Sequence, residues 1–174
     1  CWQTPRLVTK AIVLWDLPAR RKTAALTGHT NTVMDLSFSG DSALLASASE
    51  DRSIRVFDRG AAALLRILPE QEAPCRGLDF APDGRVLAAT CGPAVHLWRA
   101  DTGEALRPLD RPPGEQGRVE LAPGGRLVGA AGADARVSLW DLATGQTTWG
   151  LSCPGAKGGE ALAFSPDGQL IASG

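Results

Sequence analysis

Tyrosine is absent from this sequence of 174 residues, and methionine and histidine are scarce, with one and two copies. No apolar run approaches the roughly 18 residues that a membrane-spanning helix needs, so we predict no membrane segment. The two histidines, His29 and His96, are distant in sequence, and no group of cysteines and histidines has the spacing of a metal site. The sequence therefore gives no reason to expect a bound metal or a membrane partner.

A strong charge of either sign is also missing. The 18 lysine and arginine residues nearly balance the 19 aspartate and glutamate residues, which gives a net charge of −1. A chain without a basic excess has no general attraction to nucleic acid, so we do not expect nucleic acid as a partner. The densest basic run is PARRK at positions 18–22, and we interpret it as a solvated turn between two strands.

Cysteines are few, and their spacing suggests no pairing. Cys1, Cys75, Cys91 and Cys153 form no C-x-x-C pair, and the chain is too long for a small fold held by disulfides. We therefore expect reduced thiols and a cytoplasmic protein, with a nuclear or cytoskeletal location as the alternatives. The chain starts at Cys1 and stops with LIASG inside a predicted strand, so we expect a fragment of a longer protein.

The sequence does contain a repeat of about 42 residues. An apolar stretch that ends in an aromatic residue returns every 41 or 42 residues, at Trp15, Phe57, Trp98 and Trp140. A second phrase, LSFSGDSALLAS in its first copy, aligns without gaps at positions 36–47, 78–89, 119–130 and 162–173. Two independent markers with one period indicate a structural repeat.

Each repeat is typical of four short β-strands. VMDLSF at 33–38 alternates apolar and polar residues, as a half-buried strand does. PDG at 82–84 and PGG at 123–125 supply the residues of a tight turn. A strand of small residues, the strand that ends in the aromatic residue and a fourth strand such as EALRPL at 104–109 complete the unit. Four short strands in each repeat predict an all-β fold, a β-propeller of four-stranded antiparallel blades.

The stretch GHTNTVMDLSFSGDSALLASASEDRSIRVFD at positions 28–58 resembles a WD repeat over its whole length. Gly28 and His29 open the repeat, and Phe57-Asp58 stands where Trp-Asp is usual. The resemblance extends, with decreasing strength, over residues 11–174. It implies a β-propeller of the WD-repeat family.

The same resemblance implies a hydrogen-bonded series of histidine, hydroxyl, aspartate and tryptophan in each full blade. In the first blade His29, Ser47 and Asp51 match, whereas Phe57 has no N–H to donate. In the second blade we align Ala88 and Gly92 with the hydroxyl and aspartate positions, so that only the tryptophan survives. In the third, Ala130 replaces the hydroxyl. The expected structural network is therefore His29, Ser47, Asp51, Asp134, Trp98 and Trp140.

Strand counting divides the chain into partial and complete blades. The predicted pattern is an irregular start, two strands of a partial blade, three full blades and the first two strands of a truncated blade. These units occupy residues 1–10, 11–27, 28–68, 69–109, 110–151 and 152–174. Propellers usually have four to eight blades, so we expect this arc to be part of a larger propeller.

Patterns that would indicate catalysis are incomplete. GLSCPGAKGG at 150–159 partly matches a phosphate-binding loop, but Lys157 is one place late and no serine or threonine follows it. A G-x-S-x-G nucleophile motif is missing, and Asp41 and Asp83 lie in predicted turns. We therefore interpret His29 as a structural residue and predict neither an enzyme nor a cofactor.

A binding surface is the remaining interpretation, and the resemblance implies that it lies at one end of the inner strands. The positions carried over to this sequence are Thr32, Met34, Glu50, Arg76, Cys91, Glu115 and Glu160. Methionine and arginine are common at interface cores, and the carboxylates favour a partner with basic groups. The predicted function is a non-enzymatic scaffold that binds other proteins or peptides and assembles a multiprotein complex. The alternatives are a regulatory or sensor propeller of a larger multidomain enzyme or signalling ATPase, and a propeller that recognises peptides or nucleic acid.

Overall fold

A computed structural model describes residues 10–69, 71–106, 109, 116–132, 136–152 and 161–174. Every regular element in these ranges is a β-strand, and all paired strands run antiparallel. The predicted all-β fold is therefore confirmed. None of the described segments forms a helix of the length and apolarity that crossing a membrane requires.

The strands form five sheets in chain order. The N-terminal half-sheet contains β1 (Lys10–Asp16) and β2 (Arg21–His29). The first sheet contains β3 (Val33–Phe38), β4 (Leu44–Ser49), β5 (Ile54–Asp58) and β6 (Ala63–Ile67). The second sheet contains β7 (Cys75–Phe80), β8 (Val86–Cys91) and β9 (Ala94–Arg99).

The third sheet contains β10 (Gln116–Leu121), β11 (Leu127–Gly132), β12 (Arg136–Asp141) and β13 (Thr147–Ser152). The C-terminal half-sheet contains β14 (Leu162–Phe164) and β15 (Ile171–Ser173). Within each sheet, every strand pairs with its neighbours in sequence, as in the blades of a propeller. The two half-sheets share no ladder with each other among the described residues, so the arc of sheets is open.

Tight turns join the first two strands of each sheet. The Asp83 carboxylate accepts the Arg85 N–H at 2.9 Å, and Gly84 adopts a φ of 70°. Ser42 holds the same left-handed place in the first sheet, with a φ of 58°. A residue other than glycine tolerates this conformation at a modest cost, so the turn survives without the glycine.

The sheets pack face to face, with their innermost strands side by side. β3 lies beside β7, β7 beside β10, and β10 beside β14. The faces between the sheets are apolar, and small residues on β4 and β8 let the larger residues of the next inner strand approach. Ala46 and Ala48 pack in this way with Leu78 and Phe80. Each sheet therefore buries its core against its neighbours rather than within itself.

The second sheet departs from the predicted four strands. Beyond β9 only Ala105 pairs with Trp98, as an isolated bridge, and residues 107 and 108 lie outside the described part of the chain. The predicted strand at 104–109 is therefore reduced to a single pair of residues where the structure describes it.

Cys75 and Cys91 are joined by a disulfide, which corrects the prediction that all the cysteines are reduced. The two residues are directly opposite each other on β7 and β8, with their Cα atoms 4.1 Å apart. A separation of 16 residues gives no sign of this contact in the sequence, because only the strand register brings the pair together. Disulfides are rare in reducing compartments, so the bond is an observation against the predicted cytoplasmic location.

Candidate functional site

A buried relay of polar side chains joins the end of the N-terminal half-sheet to two segments of the first sheet. His29, at the end of β2, places its Nε2 atom 2.7 Å from the Ser47 Oγ on β4. Its Nδ1 atom lies 2.8 Å from the Asp51 carboxylate, in the turn between β4 and β5. Because a carboxylate can only accept, Nδ1 carries the proton and Nε2 accepts from the serine hydroxyl.

Asp51 organises the loops at this end of the sheet. Its carboxylate also accepts the Thr30 N–H at 2.9 Å and the Ser53 hydroxyl at 2.6 Å. Burial raises the pKa of Asp51, but the hydrogen bonds from Ser53, Thr30 and His29 outweigh it and hold that pKa well below its usual range. Burial also lowers the pKa of His29. The pair is therefore a neutral imidazole that donates to a charged carboxylate at neutral pH.

The order serine, histidine, aspartate is also that of a hydrolase triad. Ser47 and His29 are, however, almost completely buried, with 0% and 1% of their surfaces exposed. A substrate carbonyl cannot reach the Ser47 hydroxyl without opening the sheet. The geometry therefore fixes the loops at 28–32 and 49–53 and does not form an open nucleophilic site.

The other sheets retain only parts of this relay. In the second sheet Ala89 occupies the place of Ser47. The strand pairing shows this, because Ala89 pairs with His96 in the same way as Ser47 pairs with Arg55. The alignment of Ala88 with that place was wrong, because the turn before β9 is one residue shorter than the turn before β5. Trp98 and Trp140 are buried at the aromatic position. Asp134 lies outside the described residues.

A second polar feature links neighbouring sheets, and sequence reasoning missed it. One position before the last residue of the inner strand, a side-chain oxygen accepts a backbone N–H from the next sheet. Ser37 accepts from Phe80 at 3.3 Å, and Asp79 accepts from Leu121 at 2.9 Å. Glu120 accepts in the same way from Phe164. The sequence does carry a signal for it, namely a polar residue at the same point of three successive repeats.

Asp35 adds an ionic contact to this row of inner-strand acceptors. One of its carboxylate oxygens accepts the Leu78 N–H at 2.9 Å, and the other lies 2.8 Å from an Arg118 nitrogen. Burial raises the pKa of Asp79 and of Glu120, although backbone hydrogen bonds and Arg118 oppose the effect. No group of acidic, histidine or cysteine side chains in the described ranges is arranged to hold a metal ion.

Comparison with protein families agrees with this geometry. The WD40 family model, described as WD domain, G-beta repeat, matches residues 20–58. The matched stretch contains β2 to β5 and all three members of the relay. This chain belongs to the WD-repeat family.

Several curated proteins are similar to this WD-repeat chain. A serine-threonine kinase receptor-associated protein from Gallus gallus is 27% identical over 150 residues, which are 86% of this chain and 41% of that protein. Nuclear distribution protein PAC1 from Arthroderma benhamiae is 30% identical over 143 residues, with 75% and 31% covered. Transcription initiation factor TFIID subunit 5 from Caenorhabditis elegans is 27% identical over 167 residues, with 92% and 24% covered. The chain spans less than half the length of these relatives.

Two of the predicted surface residues, Thr32 and Glu50, lie on the loops that the relay fixes, whereas Met34 is on β3 and Arg76 on β7. Thr32 and Arg76 are exposed, Met34 is 38% exposed, and Glu50 is half-buried. The Thr32 carbonyl accepts the Glu50 N–H at 3.0 Å and the Ser49 hydroxyl at 2.9 Å. The loop before β3 and the turn after β4 are therefore tied together beside the relay.

The remaining predicted surface residues differ in outcome. Cys91 is 4% exposed and bonded to Cys75, so its selection as a partner contact needs correction. Cys75 and Arg76 are neighbours on β7, and their side chains point to opposite faces of the sheet. Cys91 is paired with Cys75 on β8, so its side chain points into the core, whereas Arg76 is exposed. Glu115 and Glu160 lie outside the described residues.

The raised pKa of Asp79 gives a pH prediction. We expect an Asp79→Asn variant to be more stable than the wild-type chain at pH 7, because asparagine carries no charge to bury. The difference should shrink as the pH falls toward 3.8, since the folded chain then binds a proton before the unfolded chain does. Urea unfolding across this pH range measures the effect.

The Asp167→Asn variant is the control for the sign of this effect. Hydrogen bonds from the Ser165 hydroxyl and from the Gln169 N–H lower the pKa of Asp167. The wild-type chain should therefore lose stability relative to this variant as the pH falls through 3.8 and below. Equal pH profiles for the two variants would contradict the assignment of opposite shifts.

Proposed function

We propose that this WD-repeat segment is a non-enzymatic platform that binds another protein at the loop end of the first and second sheets. One observation carries the proposal: Thr32 and Glu50 stand on loops whose backbone is fixed by the relay of His29, Ser47 and Asp51, and Arg76 is exposed at the start of the neighbouring strand β7. A surface that is ordered before binding loses less conformational entropy on association. Rigid sheets that present fixed loops are a common basis for recognition.

The names of the relatives support this role. One is called a receptor-associated protein and another a subunit of a transcription initiation factor. Both names describe proteins that act with other components. We propose the nucleus or cytoplasm as the compartment, in keeping with these names and with the nuclear distribution protein, although the Cys75–Cys91 disulfide is of a kind that is rare in both.

The test combines alanine at Thr32, Glu50 and Arg76. Proteins recovered with the wild-type chain should be lost from this triple variant, while its melting temperature should stay within about 2 °C, because Thr32 and Arg76 are exposed, Glu50 is half-buried and surface side chains of this kind contribute little to stability. Met34 is left unchanged because it also lines the cleft beside β1. Quantitative affinity capture from matched extracts gives the measurement.

The matched control places three alanines at exposed residues outside this surface, at Arg85, Glu104 and Gln169. These positions lie on the turns that join strands at the other end of the sheets. The control variant should recover the same proteins as the wild-type chain. Equal recovery by both triple variants would refute this surface, and equal loss in both would show that the contact is not confined to it.

A further inference from the structure

The Cys75–Cys91 disulfide closes the last rung of the β7–β8 ladder, at the end of the second sheet where Arg76 is exposed. A register shift at Arg76, typical of a β-bulge, separates this rung from the next one, the pair of Gly77 and Thr90. A bulge interrupts the ladder and re-aims a side chain, so the rung beyond it depends on its own contacts. The disulfide therefore fixes the backbone from which Arg76 projects.

The first sheet holds the equivalent rung by hydrogen bonds. One repeat earlier, Val33 pairs with Ser49 at the same place beside a register shift. The Ser49 hydroxyl donates to the Thr32 carbonyl at 2.9 Å, and the Glu50 N–H donates to the same carbonyl at 3.0 Å. Polar contacts that form and break without chemistry therefore close this rung.

The second sheet keeps the backbone half of this arrangement and replaces the side-chain half. The Gly92 N–H donates to the Pro74 carbonyl at 3.2 Å, as the equivalent groups do in the first sheet. The disulfide stands where the serine hydroxyl acts in the first sheet. Ala89 occupies the place of Ser47, so the relay does not support this end of the second sheet. The order of these loops therefore depends on the redox state of one bond.

One end of that bond borders an open cleft. Cys91 lines a cleft of about 520 Å³ together with Gln71, His96 and Trp98. Cys91 is 4% exposed, whereas Cys75 is 0% exposed. A small thiol that enters the cleft therefore meets Cys91 before Cys75.

We propose that Cys75 and Cys91 form a redox site that exchanges with a dithiol reductant in the folded chain and so sets the order of the loop end of the second sheet. One thiol of the reductant loses its proton and attacks the Cys91 sulfur, and the bond between the cysteines breaks. Cys75 leaves as a thiolate and takes up a proton. The second thiol of the reductant then attacks the mixed disulfide, which releases Cys91 as a thiol and the reductant as its own disulfide.

Two electrons and two protons pass from the dithiol to the protein in this exchange. Disulfides that do occur in reducing compartments are usually transient, and many of them sense the redox state. An exchangeable bond therefore reconciles the disulfide with the nucleus or cytoplasm as the compartment.

The consequence for binding rests on the proposed function, because Arg76 belongs to the proposed partner surface. Oxidation orders the backbone beside Arg76 before a partner arrives, so reduction should weaken binding. Both tests of the redox site measure the chain alone. Their failure would overturn the redox site and leave the partner surface standing, whereas failure of the alanine test at Thr32, Glu50 and Arg76 would refute the surface and leave the redox site standing.

The first test is reduction of the full chain by dithiothreitol, in a background with Cys1→Ser and Cys153→Ser. Mass spectrometry after alkylation counts the free thiols. The rate should rise in proportion to the dithiothreitol concentration and stay within about twofold at all urea concentrations below the unfolding midpoint, because the folded chain itself reacts. A rate that rises with urea as the unfolded population does would show that the bond is reached by unfolding, and it would overturn the inference.

The second test is amide hydrogen exchange at Gly92, whose N–H donates to the Pro74 carbonyl. Exchange at Gly92 should be at least about tenfold faster after reduction, because the cross-link no longer restricts opening of the rung. Exchange at Glu50, which makes the equivalent bond in the first sheet, should not change. Equal rates at Gly92 in the two redox states, or an equal rise at Glu50, would overturn the inference.

The matched variant is Cys75→Val with Cys91→Ser, which copies the equivalent rung of the first sheet. Its serine can donate to the carbonyl across the rung, so exchange at Gly92 should stay slow and should not respond to dithiothreitol. Cys75→Ala with Cys91→Ala removes both kinds of tie and should show the fast exchange of the reduced chain in either condition. Slow exchange in the first variant and fast exchange in the second support the inference. Equally slow exchange in both would show that the rung needs no tie, and it would overturn the inference.

Discussion

Replacing His29 with alanine is expected to lower the free energy of unfolding by about 3–5 kcal/mol. The substitution removes the group that bonds both Ser47 and Asp51, and it leaves a buried hydroxyl and a largely buried carboxylate without their shared partner. A cavity the size of an imidazole remains in a site that is 1% exposed. A typical domain has only about 5–15 kcal/mol of stability, so the loss is a large fraction of the total.

Urea unfolding measures this loss as a lower midpoint at an unchanged slope. The matched control is Thr30→Ala, one residue further along the loop. The Thr30 backbone N–H, not its side chain, bonds Asp51, so this variant should stay within about 0.5 kcal/mol of the wild-type chain. A His29→Ala variant as stable as the Thr30→Ala variant would show that the relay contributes nothing to the fold.

The relay also shows how far the sequence leads. The 42-residue period predicts the strands, because each strand and turn is encoded locally by alternation and by Pro, Asp and Gly. His29, Ser47 and Asp51 could be proposed because they stand at fixed places in a resembling repeat. Their burial and the proton on Nδ1 became evident only from the structure, since both depend on how the sheets pack.

Other features were beyond sequence reasoning because they depend on strand register and on contacts between repeats. The Cys75–Cys91 disulfide requires β7 and β8 to pair in one register. The hydrogen bond from the Leu121 N–H to Asp79 crosses from one sheet to the next. Neither contact follows from local composition. Misplacing the Ser47 equivalent at Ala88 had the same origin. The turn before β9 is one residue shorter, which shifts an alignment that counts back from Trp98, whereas the pairing of β8 with β9 identifies Ala89.

Gly77 is the position where contact between sheets should be least tolerant of change, and Gly77→Ala is expected to cost about 3 kcal/mol. A Cβ atom added there would lie 2.5 Å from the Gly117 carbonyl oxygen and 2.8 Å from the Val119 nitrogen, both backbone atoms of β10. It would also lie 2.8 Å from the Thr90 hydroxyl. Backbone of a neighbouring strand cannot rotate aside as a flexible side chain can, so β7 and β10 must separate.

The separation would also break a hydrogen-bonded bridge. The Thr90 hydroxyl accepts the Gly77 N–H at 2.8 Å and donates to the Gly117 carbonyl at 2.5 Å, so it joins the second sheet to the third. Moving β7 outward stretches both bonds in a buried site, which adds to the steric cost. Faster amide hydrogen exchange should accordingly appear in β7 and β10 before it appears in β3 and β4.

Gly124→Ala is the matched control for this substitution. A Cβ atom at Gly124 would meet nothing within 4 Å, so we expect a change within about 0.5 kcal/mol. Both variants replace glycine with alanine and restrict the unfolded chain equally, so the difference between them isolates the contact in the folded state. Equal stabilities would contradict the short distances between β7 and β10, because the two strands would then leave room for a methyl group at Gly77. A selective loss in Gly77→Ala would show that the close approach of β7 and β10 stabilises the packing of the second sheet against the third.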